Sequence, residues 1–229
     1  MSAKVLVVDD EPITIRALST ALTSHGYEVR TSADAEAALT HFDTWRPELV
    51  ITDLLMPHLV GIDLCRQIRN ASSVPVIILS ARTEEGTKVA AFDSGADDYV
   101  TKPFGTPELL ARIRVALRRG LAISEPSSLA VGAFRIDFQQ RRVQFGGSQF
   151  RLTPKEFDLF VFMARHPNRV LTHKTLLSAV WGETSEEQPE YLRVFMGQLR
   201  KKFDRPAHPR YIVTEPWVGY RFNPTGSVQ

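Results

Sequence analysis

Five polar residues carry the chemistry open to this sequence: Asp9, Asp10, Asp53, Ser80 and Lys102. Three are carboxylates. Brought together, they repel one another and raise each other's pKa. A bound divalent cation resolves that conflict, and oxygen ligands with a few retained waters suit Mg²⁺. A carboxylate such as Asp53 can also act as a nucleophile and form an acyl phosphate. Negative charge spreads over a phosphoryl group in transit, so a protein must mainly position and neutralise it. One Mg²⁺ and one ammonium, here Lys102, suit that task. An isolated Asp-Asp pair more often marks a solvated helix start. The set gains meaning only if the fold gathers it.

The elements that must gather it are legible. Short apolar runs occupy residues 5–8, 48–51, 76–79 and 98–100, with a weaker one at 27–29. Continuous apolar character suits strands buried on both faces of a parallel sheet. Between them lie helical faces with apolar residues three or four apart: Leu18, Ala21, Leu22 and His25; Leu64 and Ile68; Leu109, Leu110, Ile113 and Leu117. Pro12 and Pro107 sit where a first helical residue should be. A β-α unit repeated five times predicts a doubly wound, five-stranded parallel sheet in an α/β domain. Asp9 and Asp10 end the first strand, Asp53 the third and Ser80 the fourth, and Lys102 follows the fifth. Open α/β sheets bind their ligands at those carboxyl ends.

The strings VLVVDDE, ITDLLMP, VIILSAR and GADDYVTKPF, in this order, resemble the receiver domain of two-component response regulators. The resemblance covers about residues 1–120. It implies that Asp53 is the phosphoacceptor and that Asp9, Asp10, Asp53 and the backbone carbonyl of Leu55 hold Mg²⁺. Ser80 would bond the new phosphoryl group, Lys102 would pair with its charge, and Tyr99 would be the aromatic switch. It also implies dimerisation on phosphorylation, through a face built from the fourth helix, fifth strand and fifth helix. Lys88 should then face Glu108, Asp97 should face Arg112, and Asp98 should face Arg119 across a two-fold axis.

Residues 121–128 read as a linker rich in small and turn residues. Beyond it, residues 134–138, 142–145 and 149–152 alternate apolar with polar, and Gly146-Gly147 marks a tight hairpin turn. Thr153-Pro154-Lys155-Glu156 is a capping box with proline at the first helical position. Phe157, Phe160, Val161 and Ala164 continue it as a helical face. Thr172 can cap a second helix through Leu176, Leu177 and Val180. In a third, over 190–203, Leu192, Met196, Leu199 and Phe203 share one face. At about 100° per residue, Glu190, Val194, Gly197, Gln198 and Lys201 point the other way, flanked by Arg193 and Arg200. A closing hairpin spans 211–213 and 219–222.

Three helices and then a hairpin make a winged helix-turn-helix order. RLTPKEFDLF, VLTHKTLLSAVWG, YLRVFMGQLRKKF and VGYRF resemble the effector domain of the OmpR/PhoB class, over about 129–223. This implies that the helix at 190–203 enters the DNA major groove. Val194, Gln198 and Lys201 would meet base edges, and Arg193 and Arg200 would grip phosphate. Thr153, Lys174, Tyr211 and Tyr220 are further phosphate or wing candidates. VPVIILSAR, GADDYVTKPFG and RYIVTEPWVGYRF are similar to the branch serving the Kdp potassium-uptake system. The wing tip departs from the family: Pro216-Trp217 stands where a flexible glycine and a basic or small residue are usual. Trp217 can lie on sugar-phosphate near the minor groove or fold back onto its own domain.

The wider numbers agree. At about 100–200 residues per domain, 229 residues favour two: a receiver at 1–120, the linker, and a winged-helix DNA-binding domain at 129–229. Apolar residues at 43% and charged residues at 24% are an ordinary globular mixture. Residues 1–120 hold 13 basic and 16 acidic residues, while 121–229 hold 15 and 10. An acidic module joined to a basic one suggests nucleic acid as the basic one's partner. The single cysteine, Cys65, excludes an intrachain disulfide, and no apolar stretch can span a bilayer. With Asp9, Asp10 and Glu11 where a signal peptide needs its apolar core, the expected location is cytoplasmic, with no membrane partner.

The expected partners are a sensor histidine kinase, promoter double-stranded DNA, RNA polymerase and a second copy of the chain. An aspartyl-phosphate enzyme of haloacid-dehalogenase type needs a second aspartate two positions after the nucleophile, and Leu55 stands there. A degenerate receiver is opposed by the intact set of five residues.

Overall fold

The apolar runs form β1 (Lys4–Val8), β2 (Glu28–Ser32), β3 (Leu49–Asp53), β4 (Val76–Ser80) and β5 (Asp98–Thr101). They pair in parallel in the order β2-β1-β3-β4-β5. The computed structural model describes residues 2–56, 61–117, 127–182, 189–204 and 210–227. The chain divides into two compact units, Met1–Leu117 and Arg118–Gln229.

The first unit interleaves α1 (Pro12–Ser24), α2 (Ala35–Trp45), α3 (Gly61–Ala71), α4 (Glu85–Asp93) and α5 (Thr106–Leu117) with those strands. Alternate strand residues Val5, Val7, Leu49, Ile51, Ile77 and Leu79 form one core with Leu18 and Leu22 of α1 and Leu109, Leu110 and Ile113 of α5. The opposite residues Leu6, Val50 and Ile78 are also buried, so both sheet faces are covered. Proline opens α1 as the sequence predicts. His25 does not join its apolar face: it is the exposed C-cap, because the helix stops at Ser24. α2 is capped by Asp34, whose carboxylate accepts the Ala37 N–H at 2.8 Å.

The second unit opens with β6 (Ser128–Val131), β7 (Phe134–Asp137), β8 (Arg142–Phe145) and β9 (Ser148–Arg151), paired antiparallel in that order. The predicted linker therefore ends earlier than expected: residues 121–126 lie outside the described ones, and Ser128 already belongs to β6. That strand was hidden because only Leu129 and Val131 alternate inward, and both are only half-buried. Gly146 and Gly147 take φ of 56° and 76°, the left-handed pair that a tight hairpin needs.

Next come α6 (Pro154–Ala164), β10 (Val170–Thr172), α7 (His173–Trp181), α8 (Pro189–Phe203), β11 (Arg210–Glu215) and β12 (Gly219–Ser227). The capping box forms: the Glu156 N–H donates to the Thr153 hydroxyl at 3.3 Å, and the Thr153 N–H to Glu156 Oε2 at 2.7 Å. Thr172 caps α7 with its hydroxyl alone, which accepts the Thr175 N–H at 3.1 Å. The core is aromatic. The Phe134 ring stacks on Phe145 at 4.4 Å and meets Phe160, Phe203, Tyr211 and Phe222 at 5.1–5.3 Å. Phe203 thus fixes the C-terminal end of α8, and Phe222 and Tyr211 fix the β11–β12 hairpin.

Candidate functional site

At the carboxyl end of the parallel sheet, β1, β3, β4 and β5 bring Asp9, Asp53, Ser80 and Lys102 together. The Lys102 ammonium donates to Asp53 Oδ1 at 2.6 Å and to Asp9 Oδ2 at 2.8 Å. The other Asp53 oxygen accepts the Leu55 N–H at 2.7 Å. Asp9 Oδ1 accepts the Glu11 N–H at 2.9 Å. Burial pushes the Asp9 carboxyl up, Lys102 and the Glu11 N–H pull it back, and the Asp53 charge adds to the rise; the net is upward. For Lys102, burial works against the charged form, but its bonds to Asp53 and Asp9 outweigh it and raise its pKa. The ammonium therefore stays charged and holds two crowded carboxylates apart.

Lys102 is positioned by its own backbone, whose N–H donates to the Ser80 carbonyl at 2.7 Å. The buried Ser80 hydroxyl accepts the Arg82 N–H at 3.0 Å. Tyr99 is buried, and its hydroxyl donates to the Arg82 carbonyl at 2.8 Å. Burial raises its phenol pKa, and a bond to the Ser80 side chain draws it back. Ser80, Arg82 and Tyr99 are thus linked, and the switch candidate touches the hydroxyl candidate.

Among the described residues, no three His, Cys, Asp or Glu side chains stand together as a metal site. The Lys102 ammonium pairs with both Asp9 and Asp53, and Asp10 is exposed. The donor set is nonetheless all oxygen, the chemistry that Mg²⁺ takes.

Sequence reasoning missed Gly61. A Cβ there would meet the Asp53 carbonyl oxygen at 2.0 Å, so only glycine lets α3 start against the phosphoacceptor candidate. The Gly61 N–H donates to the Leu54 carbonyl at 2.9 Å. A glycine opening a helical pattern was the signal.

The proposed interface charges are arranged differently from the expectation. Asp97 is 0% exposed and ion-paired with Arg69 of its own chain. Arg112 is buried. It reaches Asp98 at 3.1 Å and Glu108 at 2.9 Å within the same chain. Asp98, also buried, is therefore committed to Arg112. Arg119 lies outside the described residues. Lys88 is half-buried on α4.

On the second unit, Arg193 and Lys201 are exposed and Val194 and Gln198 half-buried, on the side of α8 away from buried Leu192, Met196, Leu199 and Phe203. Arg200 is engaged within its own unit. Its guanidinium donates to the Ile212 carbonyl at 2.9 Å and 3.1 Å and to the Thr214 hydroxyl at 2.8 Å, tying α8 to the wing. Tyr211 and Tyr220 are buried rather than presented. Trp217 does not fold back: it is 99% exposed at the turn between β11 and β12.

Comparison with known proteins agrees with this architecture. Residues 5–114 match the response regulator receiver domain, and residues 147–222 match the C-terminal domain of transcriptional regulatory proteins. A phosphoacceptor module joined to a winged helix defines a class, and this chain belongs to it: the transcriptional response regulators of the OmpR/PhoB type, which are regulators and not enzymes. Within that class it is 44% identical to the KDP operon transcriptional regulatory protein KdpE of Escherichia coli, covering 95% of this chain and 98% of that one. It is 42% identical to KdpE of Mycobacterium tuberculosis over the same shares. The crystal structure of DrrB, an OmpR/PhoB homologue from Thermotoga maritima, matches with a TM-score of 0.53 and 31% identity, covering 97% of this chain and all of that one.

Proposed function

We propose that Asp53 is the phosphoacceptor of a phosphorylation-activated regulator of potassium-transport genes. One observation carries the phosphoacceptor assignment: a carboxylate at the end of β3 whose two oxygens meet an ammonium and a backbone N–H, with the Ser80 hydroxyl at the end of the adjacent strand. An Asp53 oxygen attacks the phosphorus of a sensor kinase's phosphohistidine. The P–N bond breaks, the imidazole leaves, and an acyl phosphate forms. Lys102 then transfers its pairing to the phosphoryl oxygens, Ser80 donates to one of them, and Tyr99 follows Ser80. Asp9, Asp10, Asp53 and the Leu55 carbonyl would hold Mg²⁺, which supplies further positive charge for the transfer.

The phosphorylated chain forms a homodimer through α4, β5 and α5, with Lys88 and Glu108 among the contributing charges, and works in the cytoplasm beside RNA polymerase. Among the described residues, no helix is long and apolar enough to cross a membrane. On α8, Arg193 grips phosphate, while Val194, Gln198 and Lys201 meet base edges. Trp217 adds a contact from the wing. Similarity to the KdpE relatives supports the potassium-transport target.

The test passes the chain, treated with acetyl phosphate and Mg²⁺, over fragments of the source genome and sequences what it retains. Recovery of potassium-transport promoters, stronger than with untreated protein, is the expected result. Equal recovery without phosphorylation, or promoters of unrelated genes alone, would overturn the activation or the target.

A further inference from the structure

The wing tip is a β-turn, with the Val218 N–H donating to the Glu215 carbonyl at 3.1 Å. Pro216 fixes φ at the first central position. Trp217, at the second, has φ of 66°, a left-handed conformation that glycine normally supplies in such a turn. The largest side chain in the repertoire therefore sits where the backbone favours the smallest. It makes no packing contact to compensate, being 99% exposed, and Val218 beside it is 47% exposed. Neither the turn nor the core accounts for the tryptophan.

The tip is firmly held. A Cβ on Gly219 would meet the Leu171 carbonyl oxygen at 1.9 Å, so β12 runs tight against β10. The His173 N–H donates to the Val218 carbonyl at 3.2 Å, anchoring the tip to the start of α7. The wing root also adjoins the outward face of α8. Tyr220, paired with Thr214 in the hairpin, feels the charges of both Arg200 and Arg193, and Arg200 lies 5.8 Å from its ring centre. Whatever approaches Arg193 thus meets a rigid support for Trp217.

The tip has no cation to offer. Residues 214–219 read TEPWVG, Glu215 is bound to Arg221 at 2.7 Å, and Arg200 is spent on the wing backbone. We infer that Trp217 gives duplex DNA an apolar contact insensitive to salt, its indole lying on the sugar walls of the minor groove. The contact complements the salt-dependent grip of α8, and the inference rests on the DNA-binding reading above. Duplex DNA is the occupant because the wing root adjoins the exposed, Arg193-bearing face of α8. Apolar side chains are a recurrent means of engaging minor-groove steps.

The test uses the full chain and a labelled duplex selected by it from random sequence, titrated across a potassium chloride series. Arg193→Ala should flatten the log–log salt dependence by about one unit of slope. Trp217→Ala should weaken binding about tenfold at every salt concentration and leave the slope unchanged. Trp217→Gly should do the same without lowering the melting temperature, because glycine suits the turn. Fluorescence gives an independent readout. Trp45 and Trp181 are 6% and 1% exposed, so acrylamide should quench Trp217 selectively in the free protein and spare it in the complex. Unchanged binding by Trp217→Ala, a loss that vanishes at high salt, or full quenching in the complex would overturn the inference while Arg193 still behaved as expected. Shielding by RNA polymerase but not by DNA would overturn it too and assign the tip to a protein. Absence of duplex binding would overturn the underlying reading as well.

Discussion

The acidic pocket and the outward face of α8 use charge in opposite ways. In the pocket, Asp9, Asp53 and Lys102 are largely withdrawn from water and bonded to one another. Low local polarity strengthens each bond, and a missing member leaves its partners exposed to the full cost of desolvation. On α8, Arg193 and Lys201 stand in solvent, screened and individually weak until a polyanion arrives. The first arrangement should fail all at once and the second by degrees.

The largest effect expected is at Asp53. Asp53→Asn is nearly isosteric but a poor nucleophile. It should show no phosphate adduct by intact mass after incubation with acetyl phosphate and Mg²⁺; equal adduct on the mutant would remove Asp53 from its role. Next is Arg112→Ala, which strands the buried Asp98 carboxylate. Urea melts should show a loss of about 3–5 kcal/mol, whereas Arg66→Ala, which breaks an exposed pair with Asp63, should cost no more than about 1 kcal/mol. Equal losses would erase the contrast between interior and surface charge.

Smaller again is Arg200→Ala. It should destabilise the DNA-binding unit by about 1–2 kcal/mol through the freed Ile212 carbonyl, with little change in salt slope. A slope change like that of Arg193→Ala would return Arg200 to the phosphate-binding set. The smallest effect is expected from Gln198→Ala, which should alter base preference while leaving non-specific affinity close to wild type, measured by selection from random duplexes.

The pocket was legible because parallel-sheet topology fixes where strand ends meet. Once Asp9, Asp53, Ser80 and Lys102 were placed at those ends, their convergence followed. The internal ion pairs were not legible where a charged residue's partner arrives from a distant element. Arg112 stands three residues after Leu109 and beside Ile113, at the border of the apolar face. Its partner Asp98 lies on a strand that helical periodicity does not register. The internal bonds of Arg200 were hidden for the same reason: its partners Ile212 and Thr214 come from β11, beyond the helix. Asp97 looked like a surface acid next to Asp98, yet it sits just before β5, where no local pattern reveals that Arg69 arrives from α3. Strand β6 escaped notice because its inward residues Leu129 and Val131 are only half-buried and adjoin the turn-rich linker, and β10 because three residues are too few to show a period. Gly61 was readable as a helix-opening glycine, but its contact with the Asp53 carbonyl depends on tertiary approach.

The wing also divides into a part that sequence change can hardly touch and a part that it can rewrite. At the root, Gly219 lies so close to the Leu171 carbonyl that any side chain there would part β12 from β10. Two residues earlier, Trp217 projects into open solvent, and the turn's own backbone bond sets its course. Residues 216–218 therefore behave as an exchangeable cassette on an immutable mount. Replacing Trp217 by glycine, which suits the left-handed φ of 66°, should leave folding intact, so such a change is felt mainly by what the tip touches. In descendants of this chain the wing tip is thus free to diverge and retune binding, one short segment at a time.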